Sequence, residues 1–169
     1  MSAAAPLDPV ASDGTYGPEN FISDTNVSRE TLGRLQVYAD LLAERQKMQN
    51  LVSRNSLDDL WRRHMLDSAQ LADMLPGGAE ALVDIGSGAG FPGMVLGIVT
   101  GIPVTLVESN SRKAQFLRDV AAQIGASVTV INARIGDTGG ESVEKPVDIM
   151  MARALAPLSK LCEMADLLA

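Results

Sequence analysis

Residues 81–93 read ALVDIGSGAGFPG and constrain the fold more than any other part of the chain. An apolar run carries an acid, Asp84, near its end and then enters a turn containing Gly86, Gly88 and Gly90. Glycine has no Cβ, so its backbone takes positive φ readily and a ligand can approach it closely. This order predicts a strand, a tight loop and a helix, with the loop amides facing whatever lies beyond the carboxyl end of the strand. Nucleotide-like molecules bind α/β proteins at that end. A bare turn is the simpler reading, but three glycines exceed what a plain strand-to-helix turn requires.

The pattern continues downstream. Strands are predicted at Leu82–Ile85, Val104–Val107, Val128–Ile131 and 147–151, with a polar loop over 136–146. Helices are predicted over 91–100, over Ser111–Ile124 and from Pro157 onward, the first two stopped by Gly101 and Gly125. Strands alternating with helices at this spacing give an α/β fold with a parallel sheet. Upstream, Ser28 is a good N-cap for a helix whose stripe is Leu32, Leu35, Ala39 and Leu42. A second helix is expected from Ser56, with Asp59 in a capping-box position and Leu57, Leu60, Trp61, Met65 and Leu71 on its apolar side. Pro76-Gly77-Gly78 ends it. Residues 1–27 mix Ala, Ser, Pro, Gly and Asp without periodicity and read as a disordered tail. The expected organisation is therefore a tail (1–27), a helical segment (28–76) and a ligand-binding domain (77–169). Four strands make a small sheet, and the sequence stops within an apolar helix, so a C-terminally truncated domain is the expectation.

Charge narrows the partners. The formal net charge of −7 argues against a protein that grips nucleic acid with its whole surface. Residues 29–64 nevertheless hold seven bases against five acids, a local basic excess that includes Arg54, Arg62 and Arg63. The single cysteine, Cys162, rules out an intrachain disulfide and a cysteine-rich metal site, and is read as a small buried hydrophobe. No apolar run reaches the roughly 18 residues of a spanning helix, and the N-terminus lacks a signal-peptide pattern, so a cytoplasmic protein is expected.

The loop spacing G-x-G-x-G departs from both phosphate-binding patterns. G-x-G-x-x-G would need glycine where Phe91 stands, and G-x-x-x-x-G-K-[ST] is absent. Glu108 ends the second strand, near the offset of roughly 20 residues at which an acid reaches ribose hydroxyls. A carboxylate accepts from both vicinal hydroxyls. Loop and acid together suggest an adenosine cofactor without phosphates, a description that S-adenosylmethionine fits. Asp84 braces the loop or meets the polar tail of that cofactor. His64, the only histidine, reads as a structural residue or, beside Arg62 and Arg63, as a phosphate contact. Trp61 reads as packing.

VDIGSGAGFPG at 83–93 resembles the first motif of class I methyltransferases. The Phe91-Pro92-Gly93 ending, Arg63-His64-Met65-Leu66-Asp67-Ser68 upstream, Asn50-Leu51-Val52-Ser53 and Ala152-Arg153-Ala154 together resemble the RsmG (glucose-inhibited division protein B) family over roughly 29–169. The resemblance implies a Rossmann-like sheet with helices on both faces, and methyl transfer from S-adenosylmethionine to N7 of a guanosine in small-subunit ribosomal RNA. Its implied partner is that RNA or the 30S subunit, and a monomer is expected. It carries cofactor-binding roles to Gly86, Phe91, Ile135, Gly136 and Arg153, to which the loop and strand-end reading adds Gly88 and Glu108. Gly136 stands where the family often has an acid, and Ala152 where it usually has serine. No catalytic residue and no metal ligand is assigned. The alternatives are a methyltransferase acting on a small molecule or protein, which would need no basic helical face, and a truncated, non-catalytic binding module.

Overall fold

The computed structural model of the chain describes residues 16–53, 57–134, 143, 147–153 and 155–166. Four parallel strands form one sheet: β1 (Leu82–Ile85), β2 (Val104–Val107), β3 (Val128–Ile131) and β4 (Ile149–Ala152), in the order β3-β2-β1-β4. The register pairs Leu82 with Val104 and Ile149, and Ile85 with Val107 and Ala152. The chain winds from β1 outward to β3, then returns to the other side of β1. The boundary between β1 and β4 is thus the switch point at which open α/β sheets bind ligands, beyond the carboxyl ends of the strands.

Strand alternation divides the apolar residues between two faces. Leu82, Val104 and Leu106 join a large core with the helices α1 (Pro18–Thr25), α2 (Arg29–Gln46), α4 (Gly93–Thr100) and α5 (Ser111–Ile124). Val83, Ile85, Val107 and Ile131 face the other way and pack with Leu161 and Met164 of α6 (Leu158–Asp166). The helical stretch α3 lies between α2 and β1. It is π-helical over Trp61–Leu66, α-helical over Asp67–Ala69 and 3-10 over Gln70–Met74.

Several local signals act as expected. Ser28 Oγ accepts from Thr31 N at 3.0 Å, Asn110 caps α5, and Gly101 and Gly125 close their helices at φ 75° and 62°. Four expectations change. Residues 18–25 of the supposed tail are helical, because Pro18 occupies the first turn and Phe21 is fully buried against Trp61, with ring centroids 5.5 Å apart. Burying such a side chain is worth about 1.5–3 kcal/mol, enough to hold a short helix down. Residues 1–15 lie outside the described residues, as do Ser56 and its capping box. The helix after the glycine loop starts at Gly93, two residues later than predicted, since Phe91 and Pro92 still belong to the turn. Strand β4 starts at Ile149, not at 147. Asp148 is occupied before it, its Oδ2 accepting from Glu80 N (2.7 Å) and Ala81 N (2.9 Å). Cys162 is exposed, because α6 turns Leu161 and Met164 toward the sheet and the cysteine away.

The third loop glycine serves packing. At Gly90 (φ 104°) a Cβ would lie 2.7 Å from the Tyr38 hydroxyl and 2.9 Å from Leu117 Cδ2, whereas at Gly101 it would meet nothing within 4 Å. Gly90→Ala should therefore cost about 2–4 kcal/mol from strain plus overpacking, and Gly101→Ala about 1 kcal/mol from strain alone. Denaturant unfolding of the two variants checks this order; equal losses would refute it.

Candidate cofactor site at the carboxyl ends of the strands

The glycine loop is held from below by two carboxylates at strand ends. Glu108, just past β2, is 7% exposed; its Oε2 accepts from Gly88 N at 2.8 Å and its Oε1 from Asn110 N at 2.7 Å. Asp84, in β1, is fully buried, and its Oδ2 accepts from Gly93 N at 2.9 Å. Burial raises the Asp84 pKa to about 7, against the lowering effects of the Gly93 hydrogen bond and of Arg153. Ser87 Oγ donates to the Asp84 carbonyl at 2.7 Å and closes the turn.

A cavity of about 340 Å³ opens at the carboxyl ends of the strands, within the range of small-molecule sites. It is lined by Gly86, Val107, Ser109, Ala133, Arg134, Leu155 and Met164, so it crosses the ends of β1, β2 and β3. At Gly88 (φ 59°) the nearest atom to an added Cβ would be 3.9 Å away, so the backbone there faces open space. Gly86 (φ 68°) lies under Leu155, whose Cδ1 would be 2.7 Å from its Cβ. Leu155 was invisible in the sequence; its place depends on the segment after β4 folding back over the loop.

A second group sits beside the loop. Phe91 is 3% exposed and does not line the cavity. Its ring stacks with His64 (centroids 4.7 Å apart) and with Tyr38 (5.3 Å). The Arg153 guanidinium carbon lies 5.5 Å from the same ring centroid, and Arg153 Nη2 is 3.1 Å from His64 Nδ1. The Tyr38 hydroxyl donates to the Ala89 carbonyl, tying α2 to the glycine loop. Burial, followed by the Asp84 charge, holds the Tyr38 pKa well above the usual phenol value.

Of the described site residues named from the sequence, Gly86 alone lines the cavity, together with Arg134; Gly88, Glu108 and Arg153 lie at the strand ends but are not in its wall. Ile135 and Gly136 lie outside the described residues, as does Arg54 of the basic stretch. Trp61 packs, as read. Tyr38 was missed as a site residue, although it lies on the same helical face as Leu35 and Leu42. Among the described residues, no group of three or more His, Cys, Asp and Glu could hold a metal ion, and no helix is long and apolar enough to cross a membrane.

Asp84 gives a pH signature. Its folded pKa of about 7 lies above the model-peptide value of 3.8, so between these values the folded state holds more protons than the unfolded one. Its contribution to stability is then present below pH 3.8, falls as pH rises toward 7, and is flat above. The difference in unfolding free energy between the wild type and Asp84→Asn should change by on the order of 4 kcal/mol across that window. Parallel stability curves for the two proteins would contradict the assignment.

Comparison with known proteins gives the site its family. The family described as rRNA small subunit methyltransferase G (GidB) matches residues 31–169. The chain is 52% identical over 145 residues to a ribosomal RNA small subunit methyltransferase G of Paramagnetospirillum magneticum, covering 86% of this chain and 69% of that protein. It is 50% identical to the protein of the same name from Parvibaculum lavamentivorans, covering 85% and 64%. The Gluconobacter oxydans protein is also 50% identical, with 83% and 70% covered. The chain spans about two thirds of the length of these relatives. With one family matching 139 residues of it, 31–169, and close relatives along most of its length, the chain belongs to the rRNA small subunit methyltransferase G family.

Proposed function

We propose that this chain forms the donor-binding part of a methyltransferase that transfers a methyl group from S-adenosylmethionine to N7 of a guanosine in small-subunit ribosomal RNA. Family membership over 31–169 is the observation that carries the reaction. The open position above Gly88, at the switch point of the sheet, supports placing the donor there.

The residues fit such a donor. Gly88 offers a backbone approachable at positive φ, and Gly86, covered on one side by Leu155, lines the cavity. Glu108 keeps lone pairs beyond those used by Gly88 and Asn110, and would accept from the ribose hydroxyls. Ser109, Ala133 and Arg134 border the end of the cavity nearest β3, where an adenine would sit; Ile135 and Gly136, the next residues in sequence, are proposed as its contacts on family resemblance alone. Phe91 is deep in packing and would act by shaping the loop wall and seating its neighbours. Arg153, beside Gly86 on the far side of β1, would meet the opposite end of the donor. S-adenosylmethionine supplies a methyl group already activated on a sulfonium. Guanine N7 carries an in-plane lone pair and no proton, so the protein has no proton to remove before attack. Its task is to align the two reactants, and alignment alone is worth several kcal/mol of barrier.

Exposed Arg62 and Arg63 of α3 present part of the local basic excess of residues 29–64 at the surface; Arg63 pairs only loosely with Asp59, at 3.5 Å. They are proposed as part of an RNA face, in a cytoplasmic enzyme acting on free RNA or the 30S subunit.

Three outcomes test this reading. Gly88→Val should abolish S-adenosylmethionine binding measured by calorimetry, because its side chain fills the open position; wild-type affinity would count against the pocket. Changing both Arg62 and Arg63 to Ala should lower RNA affinity and reduce the log–log salt slope by up to about 2. An unaltered slope would remove these residues from the interface. Labelled methyl transfer to unmodified small subunits, with free guanosine and bulk protein as controls, should place the label in RNA; label in protein would overturn the substrate.

A further inference from the structure

His64 is nine-tenths buried, yet its ring meets a charged group. Arginine has no acceptor, so the contact between Arg153 Nη2 and His64 Nδ1 requires Arg153 to donate and His64 to accept. The imidazole must therefore be neutral with its proton on Nε2. Burial, then the Arg153 charge, pushes its pKa below the usual histidine value, with Arg63 adding to this and Asp67 and Asp59 opposing it. Nε2 itself has no hydrogen-bond partner among the described residues. A buried donor left without a partner costs stability, so simple packing is a poor reason to have histidine here.

The surroundings fix Arg153 from a second side. The Phe91 ring, stacked with His64 and Tyr38, lies 5.5 Å below the guanidinium carbon. Parallel pairing of Ile85 with Ala152 places Arg153 next to Gly86 at the switch point. Glu108 stands on the other side of β1, at the end of β2. Gly86 lines the cavity and Arg153 follows the strand next to it, so a ligand that starts at the Glu108 side and passes Gly86 toward β4 would bring its far end to Arg153. For the donor proposed above, that end is the amino-acid tail.

We propose that His64 is a positioning residue: its Nδ1 and the Phe91 ring hold the Arg153 guanidinium so that its remaining N–H groups meet the carboxylate of the donor's amino-acid tail. A guanidinium fork matches a carboxylate in geometry and charge, and such bonds are about twice as strong as neutral ones. The arrangement gives Phe91 and the Arg63–Ser68 motif a shared purpose, which neither has alone. It rests on the donor-site reading above.

Calorimetry of the full chain with two probes tests it. S-adenosylmethionine carries the carboxylate, and 5′-methylthioadenosine lacks the amino-acid tail. His64→Phe keeps the stacked ring but loses the acceptor, whereas His64→Asn keeps an acceptor near the position of Nδ1 but loses the ring. His64→Phe should weaken S-adenosylmethionine about ten- to hundredfold and leave methylthioadenosine within about twofold. His64→Asn should stay near wild type for both. Arg153→Ala should reproduce the selective loss, and adding His64→Phe to it should cost nothing further; if His64→Phe folds poorly, the selectivity of Arg153→Ala between the two probes still decides whether the guanidinium meets the carboxylate. Equal weakening of both probes, or His64→Asn as weak as His64→Phe, would reduce His64 to packing and overturn the proposal. So would Arg153→Ala leaving S-adenosylmethionine affinity unchanged while altering RNA affinity. Failure of the wild type to bind either probe would instead sink the donor site itself.

Discussion

Gly93 touches β1 with no side chain between them, and the rest of the site follows from that approach. Its amide donates to Asp84 Oδ2 at 2.9 Å, and a Cβ there would lie 2.7 Å from Asp84 and 2.6 Å from Leu106. Helix α4 is therefore pressed directly onto β1 and β2. A fully buried carboxyl is costly on the large-core side of a sheet, and the Gly93 amide offsets part of that cost. With both ends of the motif fixed, residues 86–92 must close in a narrow arc. Gly88 then faces outward over open space, Gly90 faces inward against Tyr38 and Leu117, and Phe91 turns into the packing beside His64.

The arc lies between two charged groups. Glu108 stands at the β2 side, with both oxygens bound to backbone amides, and Arg153 stands at the β4 side, held by His64 and Phe91. Neither group is isolated in a way that would let it wander, and both flank the switch point of the sheet. This separation suits a ligand with a hydroxyl-rich end and an anionic end. Despite the net charge of −7, the chain carries local positive charge at Arg134 in the cavity wall, at Arg153 beside β4, and at Arg62 and Arg63 on α3.

The strands were legible because each is a short, largely apolar run with a glycine, proline or acid at or within a few residues of one end. The helices Arg29–Gln46 and Ser111–Ile124 were legible from a capping side chain and a repeating apolar stripe. Helix α1 was hidden because composition over 1–27 averaged a polar stretch with one anchored turn, and a single buried Phe21 outweighs that average. The π-helical turn over Trp61–Leu66 has no simple sequence signature, so the placement of His64 could not be read. Within the site, Gly86, Gly88, Glu108 and Arg153 lie at or just beyond the strand ends, while Ile135 and Gly136 are outside the described residues. Those missed, Tyr38 and Leu155, arrive from segments remote in sequence, and only long-range packing sets them there. Phe91, expected as a contact, is buried against His64 and Tyr38 and does not line the cavity.

The central claim is that the glycine loop between Glu108 and Arg153 is a ligand cradle and not a mere turn. Amide NMR of the full chain during titration with S-adenosylmethionine tests it most directly. The account predicts saturable shifts at Gly86, Gly88 and Asn110, at the carboxyl ends of the strands, with Gly101 and Gly125 at the opposite ends unmoved. Shifts confined to those opposite ends, or none at Gly86 and Gly88 under saturating ligand, would contradict it.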